Sequence, residues 1–279
     1  MGTRVASGRD AVAGELRAAA PLARRLRAPG TARAPWLTAV LNVQAAQRRA
    51  GRPVAVVVDG SGRTTAAAAF LTLRRRGPVT AVTLLGDGLP VPPGGPTARL
   101  LAADEDAAAG LADGIADLLG RLRGPWSLHL AGLPLGDPTA RRLAARWPAA
   151  RMATARTTRL VDALDDDGAP VRRSSDPREI DRLLPALLAQ EPDHRHRAFL
   201  RAAARLHAAA GRLEVAVTDG GPGGLLTLVE DADRRPWWAP AGTPGVRTER
   251  GAPSAGLSLP LRSRLPAPDV ARRLGSRRP

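Results

Sequence analysis

AGRPVAVVVDGSGR, at residues 50–63, has a partial repeat in AGRLEVAVTDGGPGG, at residues 210–224. The two stretches share six of their first eleven residues without a gap, at an offset of 160 residues. In both, a run rich in valine leads to Asp-Gly, which predicts a buried strand followed by a hairpin turn. The distance is too long for a solenoid unit and indicates two copies of one α/β unit. A chance match between two hairpins in a chain of biased composition is the alternative.

Two helices are predicted before the repeated strand in each copy. Residues 9–28 and 36–50 precede the strand of the first copy, and residues 176–190 and 194–210 precede that of the second. The helix at 176–190 has Asp176 as its cap and an acidic first turn, as helix starts favour. The helices therefore support the interpretation of the repeat as a duplicated unit.

The first copy continues well beyond its hairpin, whereas the second stops early. A long helix at 104–123 has acidic residues in its first turn and arginines in its last, an arrangement that complements the helix dipole. The other elements predicted for the first copy are strands at 64–76, 79–86, 126–134 and 151–163 and a helix at 137–148. In the second copy only a strand at 225–230 follows the strand at 213–218.

Composition and charge divide the chain into five predicted segments. They are a basic helical N-terminal segment at 1–35, a first domain at 36–163, a linker at 164–175, a partial second domain at 176–239 and a disordered tail rich in Pro, Gly and Arg at 240–279. The net charge of +16 comes mainly from the two ends. Runs of like charge are usually solvated, so nucleic acid is not the expected partner. Ends that bind nucleic acid or an anionic surface are the alternative.

The order of these elements, with several short motifs, resembles the GNAT superfamily of acyltransferases. The likeness is greatest to the tandem-GNAT group of CelD-like acetyltransferases and Fem-type aminoacyl transferases, here with a truncated second copy. The motifs are APWLTAVL (34–41), PVAVVVDGSGRTTAAAAFLTL (53–73), VTLLGDG (82–88), WSLHLAGLP (126–134) and GRLEVAVTDGGPGGLLTLV (211–229). The resemblance implies an α/β (α+β) fold of tandem GNAT-like domains, with mixed, mostly antiparallel sheets flanked by helices.

The same resemblance implies a reaction and its partners. An acyl group would move from acetyl-CoA or another acyl-CoA, or from an aminoacyl donor, to an amine. The acceptor, a small molecule or a cell-envelope amine, would lie between the two lobes. The donor's pyrophosphate would bind backbone N–H groups at the start of the long helix, where the helix dipole favours anions. In this chain that place is the loop at 86–103.

Two departures from the family pattern favour an alternative function. Pro90, Pro92, Pro93 and Pro96 fill the loop in which N–H donors are needed, and proline has none. The second copy also lacks a long helix with a glycine-rich start. The alternative is a catalytically inactive GNAT-derived binding or scaffold protein.

Glu191 and His194, in EPDHRHRAF (191–199), are the candidate catalytic residues. Either side chain could act as general base for an attacking amine, and a solvated, charged helix start is the alternative. His194 and His196 are two residues apart on a helix, point to different faces and have no third ligand nearby. No metal site is therefore expected.

Missing residue types exclude several other classes. Without cysteine there are no disulfides and no thiolate chemistry, and without lysine there is no P-loop. No apolar stretch has the length of a membrane span or a signal-peptide core, so a cytoplasmic protein is expected. The excess of Ala, Arg, Gly and Pro is typical of a GC-rich bacterial genome.

Overall fold

The computed structural model describes residues 2–46, 51–61, 64–167, 170–218, 223–230 and 233–262. They form a mixed α/β structure in which helices flank mixed, mostly antiparallel sheets, as the sequence predicts. The helices are α1 (Arg9–Ala18), α2 (Ala20–Arg25), α3 (Ala34–Ala45), α4 (Glu105–Gly120), α5 (Pro138–Arg146), α6 (Pro177–Leu188) and α7 (His194–Ala209).

Fourteen strands are present in the described part of the chain. They are β1 (Thr3–Ser7), β2 (Arg52–Asp59), β3 (Thr65–Arg76), β4 (Val79–Leu84), β5 (Leu101–Ala102), β6 (Trp126–Leu133), β7 (Arg151–Ala155), β8 (Thr158–Asp162), β9 (Val171–Ser174), β10 (Leu213–Thr218), β11 (Gly224–Glu230), β12 (Asp233–Trp238), β13 (Val246–Arg250) and β14 (Ser254–Arg262).

The first sheet has the order β1-β2-β3-β4-β6-β14-β7, with the short β5 paired to β3. Its neighbours are antiparallel except for β4 and β6, which run parallel from the pair Thr80 and Trp126 to the pair Thr83 and His129. The helix α4 lies in the connection between these two strands, as a parallel crossover requires.

The second sheet, β12-β11-β10-β9, repeats the start of the first. Each copy begins with a strand, β1 or β9, which is followed by helices. This first strand pairs antiparallel with the strand that carries the repeated sequence, so β1 pairs with β2 and β9 pairs with β10. The copies differ after their fourth strand. The first goes on to α4 and β6, and nothing equivalent follows β12 within the described residues.

The two copies share a hydrophobic core built around three aromatic rings. The indole of Trp36 on α3 lies 5.1 Å from the ring of Phe199 on α7 and 5.1 Å from that of Trp237 on β12, both in edge-on geometry. All three side chains are buried. Edge-on aromatic pairs are favourable beyond the area that they bury, so this cluster joins the copies. A second core lies between α4 and the other face of the first sheet.

Several predicted boundaries differ from the structure. The segment at 1–35, predicted to be helical, begins with β1, and the predicted helix at 9–28 is divided into α1 and α2. The strand expected at 151–163 is divided into β7 and β8, and the predicted linker contains β9. Every residue of β1 except Ala6 is exposed, so this edge strand has no hydrophobic pattern by which it could be found.

The predicted disordered tail is wrong for residues 246–262, which form β13 and β14. β14 lies between β6 and β7 in the first sheet. Its buried Ala255, Leu257 and Leu259 alternate with more exposed residues, which is the pattern of a half-buried strand. Residues 263–279 of the predicted tail, and residues 62–63 and 219–222 in the two Asp-Gly turns, lie outside the described residues.

We expect a chain that ends at residue 250 to lose cooperative folding. Burying a leucine side chain contributes about 1.5–3 kcal/mol, and the loss of Leu257, Leu259 and two ladders of hydrogen bonds is comparable with a total stability of about 5–15 kcal/mol. Thermal unfolding followed by circular dichroism measures this. A chain that ends at residue 262 is the control and should unfold like the full chain. Cooperative unfolding of the shorter chain at an unchanged temperature would contradict the role given to β14.

His207 is a buried histidine in the shared core. Its ring lies 6.0 Å from that of Trp36, and neither ring nitrogen has a hydrogen-bond partner among the described residues. Burial, with a smaller contribution from the charge of Arg212, lowers the pKa of His207 to about 4. The imidazole is therefore neutral in the folded protein at pH 7, and its protonation in the core is unfavourable.

We expect His207→Phe to remove a pH dependence of stability. Because the folded pKa lies below the unfolded value of about 6.5, the unfolded chain binds more protons as the pH falls from 6.5 towards 4. The native protein should therefore lose roughly 2–3 kcal/mol across that window, and the variant should lose that much less. Urea unfolding at pH 7 and pH 4.5 measures both. An equal loss in the two proteins would contradict the buried, neutral imidazole.

Candidate functional site

The parallel strands β4 and β6 separate beyond Thr83 and His129. On the β4 side, the Leu85 N–H donates to the carbonyl of Phe70, at 2.9 Å, so the chain stays beside β3. On the β6 side, the carbonyl of Gly132 accepts from the N–H groups of Thr97 and Ala98, at 2.9 Å each. The two strand ends thus have different partners, and a gap opens between them.

Gly132 allows the segment around Thr97 to approach β6 this closely. Its φ is +70°, and a Cβ at this position would collide with the hydroxyl oxygen of Thr97. Both conditions favour glycine. The hydroxyl of Thr31, which precedes α3, donates to the carbonyl of Thr97 from the other side. The loop after β4 is therefore fixed across the gap.

A cavity of about 100 Å³ remains at the separation of the two strands. Apolar side chains, Trp36, Phe70 and Leu85 among them, share its walls with polar residues that include Arg99, and the exposed Asp87 also lines it. A space of this size is comparable with a short acyl group.

The proline-rich loop connects the two copies through its carbonyl groups. The carbonyl of Pro90 accepts from the indole N–H of Trp237, at 3.0 Å, and that of Pro92 accepts from the guanidinium of Arg235, at 3.3 Å. The carbonyl of Gly94 accepts from the N–H of Ala252, at 2.9 Å. Acceptors, and not N–H donors, are thus what this part of the loop presents to its surroundings.

The start of α4 is occupied by the chain's own carboxylates. Asp104 caps the helix by accepting from the Ala107 N–H, at 2.8 Å, and Glu105 and Asp106 lie in the first turn. Negative charge at a helix N-terminus satisfies the dipole in place of a bound anion, and the nearby Arg141 and Arg142 are already engaged with Glu105. The residues of the loop at 86–103 and of this helix start therefore do not fit the pyrophosphate that the resemblance implies there.

Glu191 and His194 lie outside the cavity lining. One oxygen of Glu191 accepts from the indole N–H of Trp238, at 3.2 Å, and the other accepts from the Asp193 N–H, at 3.1 Å. The carboxylate also lies 3.8 Å from Nδ1 of His196. His194 is exposed at the first position of α7. The structure does not bring the predicted pair together with the cavity, and its catalytic role stays a prediction.

Asp87 is the acidic side chain that sequence reasoning did not select. It follows β4 in VTLLGDG, and its position directly after a strand end was the only signal. Burial raises the pKa of another carboxyl, that of Asp137. The Asp137 carboxylate accepts from the Ala140 N–H, at 2.9 Å, and so caps α5. Of the two, only Asp87 lines the cavity.

The described ranges contain neither a metal-binding cluster nor a membrane-spanning helix. No group of three or more His, Asp or Glu side chains there could hold a metal ion. None of the helices in those ranges has the length and apolar character that a membrane crossing needs.

Comparison with known proteins gives similar folds only. No protein-family model and no curated protein matches the chain. A tandem GNAT protein from the clavulanic acid biosynthesis pathway is similar over 95% of this chain and 100% of its own, with 14% identity and a TM-score of 0.39. A probable N-acyltransferase from Enterococcus faecalis is similar over 91% of this chain and 72% of its own, with 10% identity and a TM-score of 0.32.

A third solved structure is a GCN5-related N-acetyltransferase from Kribbella flavida, similar over 92% of this chain and 71% of its own. Its identity is 13% and its TM-score 0.30. The three proteins are thus GNAT or N-acyltransferase proteins by description, one of them tandem, and none is described as CelD-like or Fem-type.

Proposed function

We propose that this chain transfers an acyl group to an amine in the cavity between β4 and β6. The observation that carries the proposal is the parallel strand pair that separates over a small cavity lined by apolar side chains, Arg99 and the exposed Asp87. The apolar walls would hold the acyl group, and the amine would enter past Asp87. The resemblance stated from the sequence supports the same reaction type.

In the proposed reaction the amine nitrogen attacks the carbonyl carbon of an acyl thioester. The carbon–nitrogen bond forms and the carbon–sulfur bond breaks, so that an amide and a thiolate leave the site. The proton lost by the amine passes to the carboxylate of Asp87, and the thiolate takes up a proton from solvent. A positioned base contributes typically 10²–10⁴-fold to such a step.

The donor would not depend on a pyrophosphate bound at α4. Asp104, Glu105 and Asp106 surround the helix start, and the prolines of the loop supply no N–H groups. A thioester would then be recognised by its acyl end and by the adjoining uncharged arm. An acyl-CoA and an acylated pantetheine would both serve as donors.

The same charges favour a second candidate, a GNAT-derived module without catalysis. In that case the proline-rich loop serves only to connect the copies through the carbonyls of Pro90, Pro92 and Gly94. The cavity would then be a packing defect beside Trp36. Measured donor binding separates the two candidates.

Because acetyl-CoA has no phosphate site at α4, we expect it to bind within about threefold of S-acetylpantetheine once Arg74→Gln and Arg76→Gln have removed the basic side chains beside the cavity. Isothermal titration at an ionic strength of about 0.15 M, where long-range attraction between the basic chain and the CoA phosphates is screened, measures both. Acetyl-CoA binding more than about tenfold tighter, which is about 1.4 kcal/mol, would contradict the assignment of the helix start. Absence of heat with either donor at millimolar concentration would favour the non-catalytic module.

The cavity itself is tested by Ala131→Phe, because Ala131 lines it from β6. The added ring should abolish donor binding. Ala153→Phe, on the exposed face of β7, is the matched control and should bind as the native chain does.

Thiol release from the donor is measured with a mixture of amines as acceptors. We expect Asp87→Asn to lower kcat/KM for this reaction by about 10²-fold or more, because the asparagine side chain cannot accept the proton of the amine. Donor affinity should be unchanged. Asp106→Asn removes an exposed carboxylate outside the cavity lining and should react at the native rate. Equal rates in the two variants would exclude Asp87 as the base, and Glu191→Gln would then test the predicted pair.

A further inference from the structure

A second concave site, here called the arginine groove, lies between the β3–β4 hairpin and the start of α7. It has a volume of about 320 Å³, and its charged and histidine side chains are Arg74, Arg76, Asp87, Asp193, Arg195 and His196. We propose that the arginine groove binds a phosphate monoester. The proposal does not rest on the acyl-transfer function, because binding can be measured without any transfer.

The strand β3 supplies two of the arginines from one face. Residues two apart on a strand point to the same side, about 7 Å apart, and Arg74 and Arg76 both line the groove. Arg75 lies between them, does not line the groove and is exposed. Two guanidinium groups at this spacing can hold one dianion from two directions.

The first turn of α7 supplies the opposite wall. His196 is positioned by its Nε2, which donates to the carbonyl of Gly88 at 3.2 Å. Asp193 caps the helix and accepts from the N–H groups of Arg195 and His196, at 2.7 Å and 3.3 Å. The carboxylate of Asp193 is therefore engaged by backbone N–H groups and not by the guanidinium of Arg195, so that guanidinium is available to a ligand.

The charges in the groove favour an anion. Arg74, Arg76 and Arg195 have no carboxylate within 4.0 Å in the part of the chain that the structure describes. The opposing acids are Asp87, exposed on its turn, and the capping Asp193. Three guanidinium groups against two carboxylates, one of them already engaged, give the groove a positive balance.

Neutral donors complete the groove. Gln44 and Thr72 both line it, and the amide nitrogen of Gln44 lies 3.5 Å from the hydroxyl of Thr72. Because Gln44 donates to it, the Thr72 hydroxyl keeps its own hydrogen for a ligand oxygen.

The ligand class follows from charge, shape and volume. A phosphate monoester has about two negative charges and three terminal oxygens, which suit several guanidinium forks. The groove volume corresponds to about ten water molecules in the liquid, enough for a phosphorylated sugar. A carboxylate has one charge and two oxygens, so it would engage fewer of the arginines.

The experiment is isothermal titration of the full chain with glucose 6-phosphate and inorganic phosphate at low salt. We expect both to bind, the sugar ester more tightly, and Arg74→Gln with Arg76→Gln to weaken binding by about tenfold or more. Arg75→Gln on the same strand is the matched control and should change affinity less than twofold. Arg195→Gln, from the other wall, should weaken binding as well, and circular dichroism confirms that each variant is folded.

Three results would overturn the proposal. One is an absence of binding to the native chain at millimolar concentration. Another is an equal loss of affinity in Arg75→Gln, which would indicate attraction by overall charge alone. The third is succinate binding as tightly as glucose 6-phosphate, which would indicate a carboxylate site.

Discussion

The candidate site depends on the packing of one side chain, the indole of Trp36. It contacts Phe199 and Trp237 of the second copy and also forms part of the cavity wall in the first. The two sheets therefore cannot shift relative to each other without deforming the cavity. Protein interiors are close-packed and transmit such strain. The second copy, although shorter, thus acts as a support for the site of the first.

The proline-rich loop shows why this support and a phosphate-binding loop exclude each other. A loop that binds phosphate presents N–H groups, and proline has none. The loop instead presents the carbonyls of Pro90, Pro92 and Gly94, which accept from donors of the second copy or the segment after it. Backbone carbonyls are negative at oxygen and repel anions. The contacts that hold the copies together therefore leave that part of the loop without the donors that a pyrophosphate needs.

The parts of the fold that sequence predicted are those whose pattern is local. The strand at β2 has five consecutive buried valine or alanine residues, and α4 has charges that match its dipole. The sequence predicts disorder where β14 forms, because proline and glycine surround this segment. The alternation of apolar residues in SAGLSLP is nevertheless that of a strand. The cavity could not be predicted, since Trp36, Phe70, Leu85 and Asp87 meet only through pairing between distant segments.

The short second copy must protect the outer edge of β12, where the first copy has β6 beside β4. An uncovered strand edge invites pairing with other chains. The ribbon of β8 and β13 borders this side, and a network of charges holds it to the second sheet. Arg173 on β9 binds Asp162 of β8 at 2.6 Å and Asp165 at 2.7 Å.

The network is strong enough to offset the burial of its members. Burial alone would raise the pKa of Asp162, but the hydrogen bonds and charge of Arg173 outweigh it and lower the pKa. Arg234 on β12 pairs in turn with Glu214 of β10, which also faces Arg173. Arg173 on β9 and Arg234 on β12 lie at opposite edges of the second sheet, so these ion pairs cross its face and hold the ribbon against it. Because removing one partner would leave a half-buried charge uncompensated, the pairs fix the ribbon there. The first copy thus extends its sheet by pairing β6 with β4, whereas the second ends in this charged contact between the ribbon and its face.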